Sequence, residues 1–282
     1  MSDTARWILE LRGADAPPVG RLIDIGSGPG VGTCELARLF PAAHVTAVDG
    51  SPAMLDRTMQ RAAADGLQGR VSTHLAELPG GLDELGRADV IWASMSLHHI
   101  GDEVAMLRKL RDLLEPGGLL AVVEFAESAH PMTVLPDDVG LGRPGLRDRL
   151  DRARAQWFEA MRAGLPDSVP SADLPTMVGS AGLEVVGSRL ATRRFDPPLS
   201  EDARRLAFGH VGRIAEQLDE HLDDDDLDTL GVLSDADDRR SVMHRPDVFV
   251  ASTRQILVAR PIGSDRVGDR ASQSSTPASA PR

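Results

Sequence analysis

The chain has 282 residues, 41% of them apolar, which is enough to bury a full core as one large or two small domains. A net charge of −12 argues against nucleic acid as a partner, because that affinity rests on cationic contacts with phosphates; 3% aromatic residues and no tyrosine also leave few platforms for stacked bases. The single cysteine, Cys34, excludes an internal disulfide, no metal-ligand spacing occurs, and no apolar run reaches the roughly 18 residues of a membrane span. MSDTARWILELRG carries no basic stretch followed by an apolar one, so the expected location is the cytoplasm, with no membrane partner.

In chain order, residues 4–11 predict a short helix with Trp7, Ile8 and Leu11 on one face, and Ala16-Pro17-Pro18 links it to the first strand, so that 1–19 form an N-terminal helix and linker. The segment LIDIGSGPGVG, residues 22–32, then reads as an apolar strand, a glycine-rich turn and the start of a helix. Gly26, Gly28 and Gly30 allow positive φ and close approach of a ligand to the backbone, and the helix start presents unpaired N–H groups. Asp24 precedes this turn and Ser27 lies within it. The spacing departs from the dinucleotide fingerprint, since Val31 stands where its third glycine would fall, and this disfavours a pyrophosphate ligand.

A second apolar strand, HVTAV, ends at Asp49, 23 residues beyond Gly26. In a doubly wound sheet the ends of strands one and two meet in one crevice, where an ionised acid accepts ribose hydroxyls. Taken alone, the glycines are turn residues and Asp49 is a cap before Ser51-Pro52; together, at this spacing, they predict a cofactor site. Helices are expected at 32–40, 52–64 and 102–114, with Ser51 and Asp102 as caps. Strands are expected near 21–25, 44–49, 71–75, 88–94, 118–125, 183–190 and 248–259.

With these motifs in order, the chain resembles the class I S-adenosylmethionine-dependent methyltransferases over roughly residues 20–125. VTAVDGSPAMLDRT is similar to the family's second segment, ADVIWASMSLHHI to its fourth strand and loop, and LRKLRDLLEPGGLLAVVEF to its helix, Pro-Gly-Gly turn and fifth strand. The resemblance implies a Rossmann-like α/β fold with a doubly wound, mostly parallel sheet of seven strands. It implies S-adenosylmethionine as cofactor, held by Asp24, Gly26, Ser27, Gly28, Gly30, Asp49, Gly50, Met54, Ala76, Glu77 and Ala93, with Asp49 on the ribose and Met54 near adenine. The family usually has an acid just after strand three; here HLAELPGG puts His74 or Leu75 in its place, leaving the Ala76 backbone and Glu77 as substitutes.

Long excursions at about 126–182 and 195–247 exceed what a crossover needs, and helical periodicity at 147–161 and 201–222 predicts helical substrate covers within a domain spanning 20–262. The alternative is added scaffold or a homodimer contact. Trp157 and Phe158 read equally as a pocket wall or as helix packing. Arg143, Arg147, Arg149, Arg152 and Arg154 read as a solvated helix face laced with i, i+4 pairs to Asp151 and Asp148, and Asp223 to Asp226 as an exposed turn or helix start. Cys34 reads as a small core residue, and 263–282, rich in Ser, Pro and Ala, as a disordered tail.

The activity this predicts is transfer of a methyl group to an oxygen, nitrogen or carbon atom of a small molecule. Rival readings are a cofactor-binding protein of the same fold without turnover, and a nicotinamide-dependent oxidoreductase. His98 and His99 follow strand four, facing the methyl group, and are the candidate bases. Spacing identifies no acid to orient either ring, which favours a loop role; of the two, His98 is the preferred base.

Overall fold

The computed structural model describes residues 2–126, 132–167 and 173–263. Of the tail expected over 263–282, all but Gly263 lies outside them. Seven strands form one sheet, in the order β3-β2-β1-β4-β5-β7-β6. They are β1 (Arg21–Ile25), β2 (His44–Asp49), β3 (Val71–Leu75), β4 (Ala88–Ser94), β5 (Leu114–Phe125), β6 (Leu183–Phe195) and β7 (Val250–Pro261). The pairs β1/β2, β1/β4, β2/β3 and β4/β5 are parallel, so the order reverses between β1 and β4 and the carboxyl ends of both strands open into one crevice.

Among the described residues eight helices accompany the strands: α1 (Ser2–Arg12), α2 (Val31–Leu39), α3 (Pro52–Ala64), α4 (Glu103–Asp112), α5 (Leu146–Ala163), α6 (Leu174–Ser180), α7 (Glu201–Gln217) and α8 (Asp224–Leu233). Ser51 and Asp102 cap α3 and α4 as expected, their side chains accepting from the Met54 and Ala105 N–H groups. The first four strands fall where alternation and apolar runs placed them. β5 starts four residues earlier than the expected 118, because Leu114 pairs with Ala88 and the pairing resumes at Val90 with Leu119. Glu115 to Gly118 are absorbed in this irregularity, and a Cβ on Gly118 would lie 2.9 Å from the Glu115 carbonyl oxygen.

The chain divides into two compact units. Of the described residues, the first holds 2–124, 166–167, 173–189 and 256–263. Its core joins Ile23, Ile25, Ile91, Leu107 and Leu120 to Leu174, Met177 and Val178 of α6, so the expected first excursion is shared between the units. Helix α1 buries Ile8 completely; Trp7 lies against Gly187 and takes the Arg189 guanidinium over its ring at 4.4 Å.

The second unit comprises 125–165 and 190–255, with a core built from Leu146, Leu150, Val211, Ile214, Leu230 and Leu233. Its helices bear out the helical periodicity of both excursions. The solvated reading of the arginine face is corrected. Arg149 makes a two-pronged pair with Asp226, Nε to Oδ2 at 2.6 Å and Nη2 to Oδ1 at 2.7 Å, and Asp226 is only 1% exposed. Arg154 is buried and lies 3.5 Å from Asp151, while Arg147 pairs instead with Asp137. Arg152 is exposed, whereas Arg147 and Arg149 are half-buried and Arg154 is buried. These partners are up to 77 residues apart, so i, i+4 spacing could not find them. Asp223 does start α8, as a cap accepting from the Asp226 N–H. Trp157 packs partly buried against this unit's core, and Phe158 meets Phe125 edge to face at 6.4 Å.

Candidate functional site

The turn between β1 and α2 places Gly26, Gly28 and Gly30 at φ of 65°, 53° and 75°. Their roles separate when a Cβ is imagined on each. On Gly26 it would lie 2.5 Å from Cβ of Ser96, and on Gly30 2.6 Å from the Thr58 side chain, whereas on Gly28 it meets nothing within 4 Å. Gly26 and Gly30 therefore let neighbouring elements close on the turn, and Gly28 keeps the space above it open. The turn is fixed by the Ser27 N–H donating to Val48 O at 3.0 Å, Thr58 Oγ1 to Gly28 O at 3.1 Å and Arg61 Nε to Pro29 O at 3.2 Å. Within this loop the Ser27 hydroxyl is buried without a partner among the described residues, and so is that of Ser96. A buried hydroxyl left unpaired costs about 1–3 kcal/mol, which a bound polar ligand would offset.

Asp49 closes the crevice from the end of β2. Its Oδ2 accepts the Gly28 N–H at 2.8 Å and its Oδ1 the Ser51 N–H at 2.9 Å, an arrangement that leaves each oxygen further acceptor capacity. The exit of β3 lies alongside: the Ala76 N–H donates to Asp49 O at 3.1 Å, and a Cβ on Gly50 would lie 3.5 Å from Ala76 O. Ala76 is buried, Glu77 and Gly50 are exposed, and Met54 is half-buried in the first turn of α3. His74 is turned to the Gly81 carbonyl, Nε2 to O at 2.7 Å.

The third wall is the exit of β4. Ala93 pairs with Ile25 and Val122, fully buried, and Met95 then takes φ 58° while its N–H donates to Val123 O at 2.8 Å. A non-glycine residue in the left-handed region marks a constrained turn, of the kind that clusters at functional sites. It leads into a 3-10 turn, Leu97–His99. Glu124, near the end of β5, holds that turn: its Oε1 accepts the Ser96 and Leu97 N–H groups at 3.1 and 2.9 Å, and its Oε2 lies 2.7 Å from His98 Nδ1. The His98 and His99 rings stand 4.1 Å apart.

Residues 23–120 match the family model described as a methyltransferase domain. Over that stretch the chain is similar to the class I S-adenosylmethionine-dependent methyltransferases. Among relatives, it is 34% identical over 138 residues to a trans-aconitate 2-methyltransferase of Methylobacterium radiotolerans, covering 46% of this chain and 50% of that one. It is 35% identical over 120 residues to an uncharacterised protein of a Synechococcus species, covering 40% and 27%. The chain thus spans half or less of the length of these curated relatives. The fold is shared with a methyltransferase of Geobacter sulfurreducens solved with S-adenosyl-L-homocysteine, at a TM-score of 0.51, 18% identity and 92% and 90% coverage.

In this chain, the glycine turn, Asp49, Gly50, Ala76 and Ser96 come together around one loop set. Asp24 sits beneath it, 3% exposed, accepting from Thr33 Oγ1 at 2.7 Å. Burial, opposed by the Thr33 hydrogen bond and reinforced by the charge of Asp49, pushes the Asp24 carboxyl up to about 7. The folded chain therefore holds this proton more tightly than the unfolded one. The resulting stability is complete below about pH 4 and is lost as pH rises towards 7. Asp24→Asn keeps an acceptor for Thr33 and removes the titration, so its melting temperature should gain on wild type steadily from pH 4.5 to 8; a constant difference across that range would contradict the assignment.

The expected lack of an acid partner for His98 is corrected by Glu124. The two residues are 26 apart in sequence, beyond any local spacing rule, yet a signal exists: β4 and β5 are adjacent parallel strands, so an acid at the end of one faces the loop leaving the other. Partial burial and then the neighbouring His98 push the His99 imidazole below its ordinary range. Cys34 is fully buried in α2, in keeping with a core role.

Proposed function

We propose that the protein transfers a methyl group from S-adenosylmethionine to a small-molecule acceptor. The observation that carries this is the space above Gly28, bounded by a carboxylate at Asp49 and a buried, unpartnered Ser27 hydroxyl. That set suits a ligand with a ribose and polar groups that approaches backbone closely, and Val31 at the start of α2 gives no glycine for a pyrophosphate. Asp49 would accept the ribose hydroxyls, Gly26 to Gly30 would line the backbone face, Met54 and Ala76 would flank the adenine, and Asp24 would face the amino acid end. When bound, the cofactor supplies an electrophilic methyl group; the protein's share is alignment of the acceptor and, where needed, removal of its proton.

The second unit lies wholly outside the matched residues 23–120 and is the proposed source of acceptor choice. The trans-aconitate activity named for relatives is not carried over, because the similarity covers half of those chains. Methyl transfer from labelled cofactor into a bacterial metabolite extract tests the activity: a labelled small molecule supports it, and cofactor binding with no product supports the non-catalytic alternative. Asp49→Ala removes a charged acceptor, so calorimetric titration should show cofactor binding weakened by about 1.5–3 kcal/mol in a folded protein. Unchanged affinity would move the ribose elsewhere.

A further inference from the structure

Gly28 is held on both sides of its Cα by side chains from different elements. Its N–H donates to Asp49 Oδ2 at 2.8 Å, from the end of β2, and its carbonyl accepts from Thr58 Oγ1 at 3.1 Å, from α3. The two peptide planes that meet at this Cα are related by its φ and ψ alone, so the two bonds together pin the dihedral pair of the residue type with the widest choice. At φ 53° that pair lies in the left-handed region, and the direction of the absent Cβ stays open while the carbonyl is committed to α3. Thr58 suits this task by its placement. It is fully buried, so water does not compete for its hydroxyl. A Cβ imagined on Gly30 would lie 2.6 Å from both its Cγ2 and its Oγ1, so the same side chain also packs against the turn two residues on. The single hydroxyl hydrogen faces two acceptors at 3.1 Å, Gly28 O and Met54 O, and Met54 O, four residues back in α3, already takes a helical N–H. Gly28 precedes α2, which starts at Val31, so the hydroxyl matters most to the Gly28 carbonyl. Arg61 reaches the next carbonyl, of Pro29, from an exposed position where water does compete.

Resting on the cofactor reading above, we infer that Thr58 is a positioning residue for S-adenosylmethionine: its hydroxyl holds the Gly28 carbonyl so that the glycine turn is set before the ligand arrives, while its methyl group serves stability alone. Without the hydroxyl the turn has to be ordered as the cofactor binds, and that ordering is subtracted from the affinity. The helix that carries Met54 and Thr58 thereby reaches the cofactor at two points, by the Met54 side chain at the adenine and through Gly28 at the turn.

The test separates the two parts of the side chain in the full chain, with affinity read by calorimetric titration and stability by melting temperature. Thr58→Val keeps the branched shape and removes the donor, and it should bind S-adenosylmethionine about tenfold more weakly than wild type, the share of one neutral hydrogen bond. Thr58→Ser keeps the donor and removes the methyl group, and it should melt below wild type yet bind the cofactor within about twofold of it. A role in folding alone would move the melting temperature and leave affinity unchanged in both. Wild-type affinity in a folded Thr58→Val, or a loss of about tenfold in Thr58→Ser, would overturn the proposal. If Thr58→Val does not fold, Thr58→Ala takes its place, since it differs from Thr58→Ser by the hydroxyl alone: about tenfold weaker binding than Thr58→Ser supports the proposal, and equal affinity overturns it. A folded wild type that does not bind S-adenosylmethionine would defeat the cofactor reading and this proposal together, whereas wild-type binding that persists unchanged in Thr58→Val defeats this proposal alone.

Discussion

Gly28→Val should fold and yet bind S-adenosylmethionine more than 100-fold more weakly than wild type. Two effects act at this position and they differ in what they damage. The φ of 53° lies in the left-handed region, where a β-branched residue is strained by about 1–2 kcal/mol, and this lowers stability without touching the ligand. The side chain itself meets no protein atom within 4 Å, so it projects into the space the ligand needs, and a loss above 2.7 kcal/mol of binding corresponds to the 100-fold. Gly26→Val and Gly30→Val provide the contrast. Their added atoms run into Ser96 and Thr58, so they should lose folded protein before they lose binding. Circular dichroism and calorimetric titration of the three variants separate these outcomes, and a Gly28→Val that bound the cofactor like wild type would place the ligand elsewhere.

Arg149→Ala should destabilise the second unit by about 3 kcal/mol in urea unfolding, while Arg152→Ala on the same helix should change it by less than about 0.5 kcal/mol. The difference lies in the partner rather than the arginine. Removal of the Arg149 guanidinium leaves the Asp226 carboxylate 1% exposed, with Arg143 Nη2 still 3.6 Å away as partial compensation. Pairing with Asp226 by hydrogen bond also pushes the Arg149 guanidinium above its ordinary range, the direction expected of a charge held in place. Arg152 is exposed. Equal effects from the two substitutions would return Arg149 to the solvated surface.

The parts of the fold legible in the sequence are those whose signal is local. β1 to β4 and α3 carry their own alternation, caps and glycines, and the order of the motifs places the crevice between the ends of β1, β2 and β4. What escaped the sequence depends on contacts between distant residues. The start of β5 at Leu114 is not legible in the sequence because the Glu115 to Gly118 irregularity exists only against Ala88 of the neighbouring strand. The Arg149–Asp226 pair joins helices 77 residues apart, and an i, i+4 rule can see only one helix. At the site, the glycine turn and Asp49 were visible as a spaced pattern, while Glu124 looked like the polar end of a strand until β5 lay beside β4 and brought its carboxylate to His98.

The central claim is that the crevice around Gly28 and Asp49 holds S-adenosylmethionine, and calorimetric titration of the full chain tests it most directly. S-adenosylmethionine should bind at one site per chain, with NAD giving no heat of binding under the same conditions. Saturable binding of NAD, or no binding of S-adenosylmethionine by folded protein, would contradict the account.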